Sequence, residues 1–126
     1  MKETILTIGA CYGGLAVIFG AFGAHILQKK LSTKSLNSFE TGVKYQMYHA
    51  LALVFISNLF TFSKTIETLT ASFFIIGTFL FSFSIYGLCL SSIGGKKLKF
   101  LGPITPIGGL LLFFGWFCMA LSHLIK

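Results

Sequence analysis

Residues 4–27 read TILTIGACYGGLAVIFGAFGAHIL, an apolar run that contains no charged side chain. Since about 20 apolar residues take a helix across the hydrocarbon core of a bilayer, this run is long enough to span one. Similar runs follow at about residues 45–63, 69–93 and 107–125. Because lipid cannot satisfy backbone hydrogen bonds, the sequence predicts an all-α membrane protein: one domain, residues 1–126, folded as an antiparallel bundle of four transmembrane helices.

The composition supports a membrane protein. Of 126 residues, 55% are hydrophobic and 10% are charged, which is too few charges to cover the surface of a soluble domain. The net charge of +7 would suggest nucleic acid for a soluble protein. Here the lysines lie mainly between the apolar runs, so we expect no nucleic-acid partner and instead expect contacts with anionic lipid headgroups. Cys11, Cys89 and Cys118 lie inside apolar runs and form no metal-binding motif, so we expect neither a disulfide nor a metal.

The lysines predict an orientation. Cytoplasmic loops of membrane proteins carry an excess of Lys and Arg. Seven lysines follow the first and third runs, whereas three lie on the opposite side, so we expect a multi-pass protein of the cytoplasmic membrane with both long loops inside and both termini outside. The seven are Lys29, Lys30, Lys34, Lys44, Lys96, Lys97 and Lys99, and the three are Lys2, Lys64 and Lys126.

The segment between the first two runs has the pattern of an amphipathic helix. Leu36, Phe39, Val43 and Met47 recur at helical spacing, while charged and polar side chains occupy the other faces. The pattern predicts an interfacial helix that continues into the second run, with Ser35 as its cap. The alternative is a solvated loop. At the start of the fourth run, Thr105 is the predicted cap.

Small residues repeat along three of the runs. They allow helix backbones to approach closely, which matters in lipid because hydrophobicity alone does not select helix partners. The spacing predicts helix-packing seams, and the sequence leaves open whether some of them join copies in a homo-oligomer or bind a partner membrane protein. The seams are Gly9, Gly13, Ala16, Gly20 and Gly23 in the first run, Gly77 and Ser84 in the third, and Gly108 and Gly115 in the fourth.

Two histidines are candidates for chemistry. His25 ends the first run and His49 lies near the start of the second, so we expect both near the cytoplasmic interface at a similar depth. Such a pair could bind haem or a metal, or relay protons. The alternative is that each histidine hydrogen-bonds backbone carbonyls or a tyrosine. Since the usual spacing motifs are missing, we predict no cofactor.

The most polar cluster in any run lies around His49. Together with Glu40 and His25, it could form a binding site for a lipid headgroup or a small solute; an interfacial aromatic belt would explain its tyrosines equally well. No carboxylate lies in the middle of a run, and no Ser, His and acid combination can be assembled at one depth, so we expect no enzyme. The cluster consists of Tyr45, Gln46, Tyr48 and His49.

Three motifs resemble one family of small membrane proteins. Residues 20–25 read GAFGAH, residues 45–53 read YQMYHALAL, and residues 101–109 read LGPITPIGG, followed by Gly115-Trp116. In this order they resemble domain of unknown function 423, whose animal relatives are called transmembrane protein 256. The resemblance implies an intact four-span membrane protein and implies no reaction or ligand. Phe83, between two serines, departs from the glycine that is frequent in the family.

Three functions remain in competition at this point. The leading hypothesis is a non-enzymatic component that binds lipid or a partner protein and supports the integrity of the membrane or envelope. The second is a small oligomeric transporter or channel, because four helices with little buried polar lining make a poor pore alone. The third is a haem-binding redox protein that uses His25 and His49.

Overall fold

A computed structural model describes residues 1–125. Lys126, one of the three lysines predicted on the outer side, lies outside the described residues. Within the described range there are four long helices and no strand, which confirms the all-α prediction. The helices are α1, Lys2–Leu27; α2, Thr33–Leu59; α3, Thr65–Ile93; and α4, Ile104–Leu124, which follows a 3₁₀ turn at Lys99–Leu101.

Three helical segments are long and apolar enough to cross a membrane: Lys2–Leu27, Thr65–Ile93 and Lys99–Leu124. The remaining helix, α2, has 27 residues and is therefore long enough, but it is too polar to meet the same standard of hydropathy. The chain thus has the helices of a multi-pass membrane protein. Hydropathy alone accounts for three of the four predicted spans.

The helix ends differ from the predicted ones. Helix α2 begins at Thr33, so the predicted amphipathic segment and the second apolar run form one continuous helix. Its cap is Ser32 rather than Ser35, because the Ser32 hydroxyl accepts the Ser35 N–H over 3.1 Å. The prediction that Thr105 caps α4 is also wrong: its hydroxyl lies 2.6 Å from that of Ser84 on α3.

Helices α1 and α2 pack in antiparallel along the glycine seam of α1. A Cβ atom built on Gly9 would lie 3.0 Å from Cβ of Leu53, and one on Gly13 would lie 3.7 Å from Cβ of Ala50. Further along, Gly20 faces Val43 and Gly23 faces Phe39. The glycine seam of α1 therefore forms a contact within the chain, and α2 packs against it over most of the length of α1.

Helices α3 and α4 form the second antiparallel pair. A Cβ atom on Gly108 would overlap the backbone nitrogen of Phe81, and one on Gly77 would lie 2.9 Å from the side chain of Leu112. One on Gly115 would lie 2.7 Å from the Phe74 ring. Helix α2 packs on α3 and thereby joins the two pairs.

Two apolar cores lie at opposite ends of the bundle. One, built around Leu53, Ile56 and Phe74, occupies the end of the bundle at which α1 begins and α4 ends. The other, which includes Phe39 and Tyr86, lies near the lysine-rich connections. Between them lies a group of polar side chains that includes Tyr12, Gln46, His49 and Ser82. We call this group the polar layer, and it contains the candidate site.

Two π-helical turns interrupt α1 and α3 near the polar layer. They span Phe19–Gly23 and Phe79–Phe83. The rings of Phe19 and Phe83 meet edge to face with their centroids 6.5 Å apart, so the two irregular turns are neighbours. Such turns recur at functional positions of helices, because they change which side chains face the interior.

Candidate functional site

Gln46 of α2 is the centre of the polar layer and is fully buried. Its Nε2 donates to the carbonyl oxygen of Tyr12 on α1 over 2.8 Å, and its Oε1 accepts the hydroxyl of Tyr86 on α3 over 2.7 Å. One amide side chain thus connects three helices. Both of its functional atoms have partners, which offsets the cost of burying an amide in an apolar surrounding.

His49 lies one turn beyond Tyr45 on α2 and is 4% exposed. Its Nδ1 is 2.7 Å from the carbonyl oxygen of Tyr45, and its Nε2 is 3.0 Å from the indole nitrogen of Trp116 on α4. An indole N–H can only donate and a carbonyl can only accept, so the ring is neutral with its proton on Nδ1. In this arrangement both ring nitrogens of His49 are engaged, and neither presents a free lone pair to a metal.

Further polar side chains complete the ties between helices. The Tyr12 hydroxyl donates to the carbonyl oxygen of Ile75 over 2.9 Å and joins α1 to α3. The Ser82 hydroxyl donates to the carbonyl oxygen of Gly42 over 2.7 Å and joins α3 to α2. Among residues 1–125, Thr78 carries the only buried side-chain oxygen or nitrogen atom without a partner. The polar layer therefore acts mainly as a set of interhelical bonds.

The structure separates the two candidate histidines. His49 adjoins Ala50, which faces Gly13, whereas His25 lies twelve residues beyond Gly13 on α1. At 1.5 Å per residue, that is about 18 Å along the helix axis. The expectation of a similar depth is therefore wrong: His25 is exposed near the lysine-rich end, and His49 is buried inside the bundle.

The six predicted ligand-binding residues do not converge on one cavity. Gln46 and His49 point into the bundle, whereas His25, Glu40, Tyr45 and Tyr48 are exposed. The Tyr45 ring packs on Phe81 of α3, with centroids 4.7 Å apart. Glu40 instead lines a groove beside Gly20 of α1. Within the part of the chain that the structure describes, no three His, Cys, Asp or Glu side chains come together as a metal site.

Sequence reasoning missed two members of the polar layer, Tyr12 and Trp116. Both lie in strongly apolar runs, where an aromatic residue is most simply interpreted as lipid-facing. The available signal was Gln46, an amide inside an apolar run, since a buried amide requires partners on neighbouring helices. Tyrosine and tryptophan are the natural partners because each has an apolar ring and a polar atom.

An apolar groove of about 350 Å³ opens on the outside of the bundle between α1 and α3. Phe19, Ile26 and Leu27 of α1 form one wall, Phe83 and Leu90 of α3 form the other, and its lining is apolar. After Leu27, Gln28 is followed in the chain by Lys29 and Lys30, and both lysines are exposed. The apolar groove therefore includes a residue, Leu27, that lies close in sequence to two exposed lysines.

The fold and the polar layer place this protein in a class: it is a small helical protein of the multi-pass membrane type, and its buried polar side chains form hydrogen bonds between its helices. Comparison with known proteins then gives the family. Residues 19–109 match the family model described as "Protein of unknown function (DUF423)", and the chain belongs to this family. The resemblance of the three sequence motifs is thereby confirmed.

Relatives match over nearly the whole chain. A UPF0382 membrane protein of Schizosaccharomyces pombe is 41% identical over 117 residues, which cover 92% of this chain and 98% of the relative. One of Staphylococcus aureus is 41% identical over 121 residues, which cover 95% and 94%. YwdK of Bacillus subtilis, also named a UPF0382 membrane protein, is 36% identical over 122 residues, which cover 95% of each. No solved structure matches significantly.

Proposed function

We propose that the chain is a four-span, non-enzymatic component of the cell membrane that holds a phospholipid in the groove between α1 and α3. The observation that carries the proposal is this groove, which has an apolar lining that includes Leu27, a residue close in sequence to the exposed Lys29 and Lys30. An acyl chain would lie against the apolar walls, and an anionic headgroup would meet the two lysines.

The proposed fourth span is α2. Its contacts with α1 run from Leu53 opposite Gly9 to Phe39 opposite Gly23, which supports the proposal that α1 and α2 cross the same membrane side by side. The residues that lower its hydropathy include Gln46 and His49, and these face other helices rather than lipid. Mean hydropathy therefore underestimates the ability of α2 to span a membrane, because polar side chains inside a bundle do not contact the hydrocarbon.

The proposed orientation places both lysine-rich connections in the cytoplasm and both termini outside. Lys29 and Lys30 follow α1, and Lys96 to Lys99 follow α3. Helices α1 and α3 both end at this face of the bundle, which supports counting these lysines together. Anionic lipids are enriched in the cytoplasmic leaflet, so the groove would open toward its proposed ligand. The first turns of α2, with their exposed lysines, would lie at this interface.

Native mass spectrometry of the full chain released from mild detergent tests the proposal. We expect the protein to carry a phospholipid. Leu90→Trp fills the groove, and we expect it to remove most of the bound lipid. The matched control is Leu110→Trp on α4, since Leu110 has a similar exposure, 58% against 51%, and does not line the groove. A protein without lipid, or equal lipid loss in both variants, would overturn the proposal.

A further inference from the structure

A second cavity, of about 300 Å³, lies where α2 begins and α3 ends. Unlike the groove, it is lined mainly by polar side chains. Three serine hydroxyls and two lysines surround it, and the lysines come from segments that are distant in sequence. These five residues are Ser32, Lys34, Ser35, Ser38 and Lys97.

The lining has the chemistry of an anion site. Each lysine ammonium offers three donors and a full positive charge, and the hydroxyls of Ser32 and Ser35 can also donate, whereas the Ser38 hydroxyl donates to the carbonyl oxygen of Lys34 over 3.2 Å. The three acidic side chains, Glu3, Glu40 and Glu67, all fall within the described residues, and none of them lines the cavity. A tetrahedral phosphate, with several acceptor oxygens and negative charge, matches such a set of donors.

The two sides of the cavity are held in place by one bond between α3 and α2 and by one bond within the segment that ends α3. The Cys89 thiol of α3 donates to the carbonyl oxygen of Ser35 on α2 over 3.3 Å. The backbone N–H of Leu98 donates to the Ser91 hydroxyl over 3.1 Å and anchors the segment that carries Lys97. The backbone segments that carry the donors are therefore placed side by side before a ligand binds, which lowers the entropic cost of binding.

We propose that this cavity is a binding site for a phosphate group. The group is either the headgroup phosphate of an anionic lipid or inorganic phosphate from solution, since both present the same oxygens. The site shares no lining residue with the groove between α1 and α3, so it goes beyond the proposed function and does not depend on it.

Two arms of one experiment separate the two sources. In the first, calorimetry measures binding of inorganic phosphate to the full chain in a non-ionic detergent. In the second, native mass spectrometry measures bound phosphatidic acid after reconstitution in phosphatidylcholine with and without phosphatidic acid. The test variant is Lys34→Gln/Lys97→Gln, and the matched control is Lys96→Gln/Lys99→Gln, which removes the same charge outside the cavity. A third variant, Ser38→Leu, keeps both lysines and obstructs the cavity.

We expect Lys34→Gln/Lys97→Gln to weaken binding of whichever probe binds, inorganic phosphate or phosphatidic acid, by tenfold or more. Each lost charge-assisted bond is worth about a factor of ten. We expect Ser38→Leu also to weaken it, and the control pair to leave it within about twofold, since an exposed charge outside the site contributes little. Binding in the first arm alone identifies a soluble anion, and binding in the second alone identifies a lipid headgroup. Equal loss in both lysine pairs, or no binding in either arm, overturns the site. Each result is independent of Leu90→Trp, so the two proposals can fail separately.

Discussion

The indole N–H of Trp116 on α4 donates to Nε2 of His49 on α2 over 3.0 Å, and this bond fixes the protonation of the histidine. Since the Tyr45 carbonyl accepts from Nδ1, the ring is held between a donor and an acceptor on two helices. A ring so held is positioned by the fold rather than left open to a ligand. Gln46 is also positioned by hydrogen bonds to neighbouring helices. Substitutions in the polar layer should therefore change the stability of the protein.

Loss of the His49 imidazole should change both the environment of Trp116 and the stability of the protein. Trp116 is the only tryptophan of the chain, so tryptophan fluorescence reports on the surroundings of this one indole. In His49→Leu we expect emission at shorter wavelength, because the indole loses a polar partner, and a free energy of unfolding lower by roughly 1 kcal/mol. His25→Leu is the control, because His25 is exposed and lies far along the bundle. An unchanged emission spectrum in His49→Leu would show that the bond does not form.

The bond between Tyr86 and Gln46 should give a measurable coupling energy. Gln46→Leu leaves the Tyr86 hydroxyl buried without its acceptor, whereas Tyr86→Phe removes the donor. We expect each single variant to destabilise the protein by about 1–3 kcal/mol and the double variant to cost less than the sum by at least about 0.5 kcal/mol. Reversible unfolding in mixed micelles measures these energies. Tyr48→Phe, at an exposed tyrosine, should be nearly neutral, and strict additivity of Gln46→Leu and Tyr86→Phe would exclude direct coupling.

The close approach of α3 and α4 predicts that the effect of a Gly→Ala substitution on stability depends strongly on its position. In Gly108→Ala the new methyl group would meet the backbone of Phe81, so the helices must separate, and we expect a destabilisation of about 1–3 kcal/mol. At Gly14, a Cβ atom would meet nothing within 4 Å, and alanine should stabilise the helix by up to about 1 kcal/mol. Thermal unfolding in detergent compares the two. Equal midpoints would mean that Gly108 does not set the distance between the helices.

Much of the fold could be predicted from the sequence, because a lipid bilayer permits few kinds of secondary structure. Apolar run length predicted the helices, and the spacing of Gly9, Gly13, Gly20 and Gly23 predicted a seam that now lies against α2. The site was harder to predict. Depth was assigned to His49 from its distance to the start of the second apolar run, whereas the actual helix begins at Thr33 and places this residue near the middle of a 27-residue helix. Partners such as Tyr12 depend on how each helix is rotated about its axis, and a single amino-acid sequence gives no direct signal of that rotation.

The proposed crossing of α2 predicts on which side of the membrane two connections lie. Gln28 follows α1 and Ser63 follows α2, so if α2 crosses, cysteines at these positions must lie on opposite sides. In a background with Cys11, Cys89 and Cys118 replaced by alanine, a membrane-impermeant maleimide should label Ser63→Cys in intact cells and Gln28→Cys only after permeabilisation. The opposite result at both positions would invert the orientation inferred from the lysines but keep four spans. Labelling of both positions from the same side would show that α2 does not cross, and its contacts with α1 could then not form within the hydrocarbon.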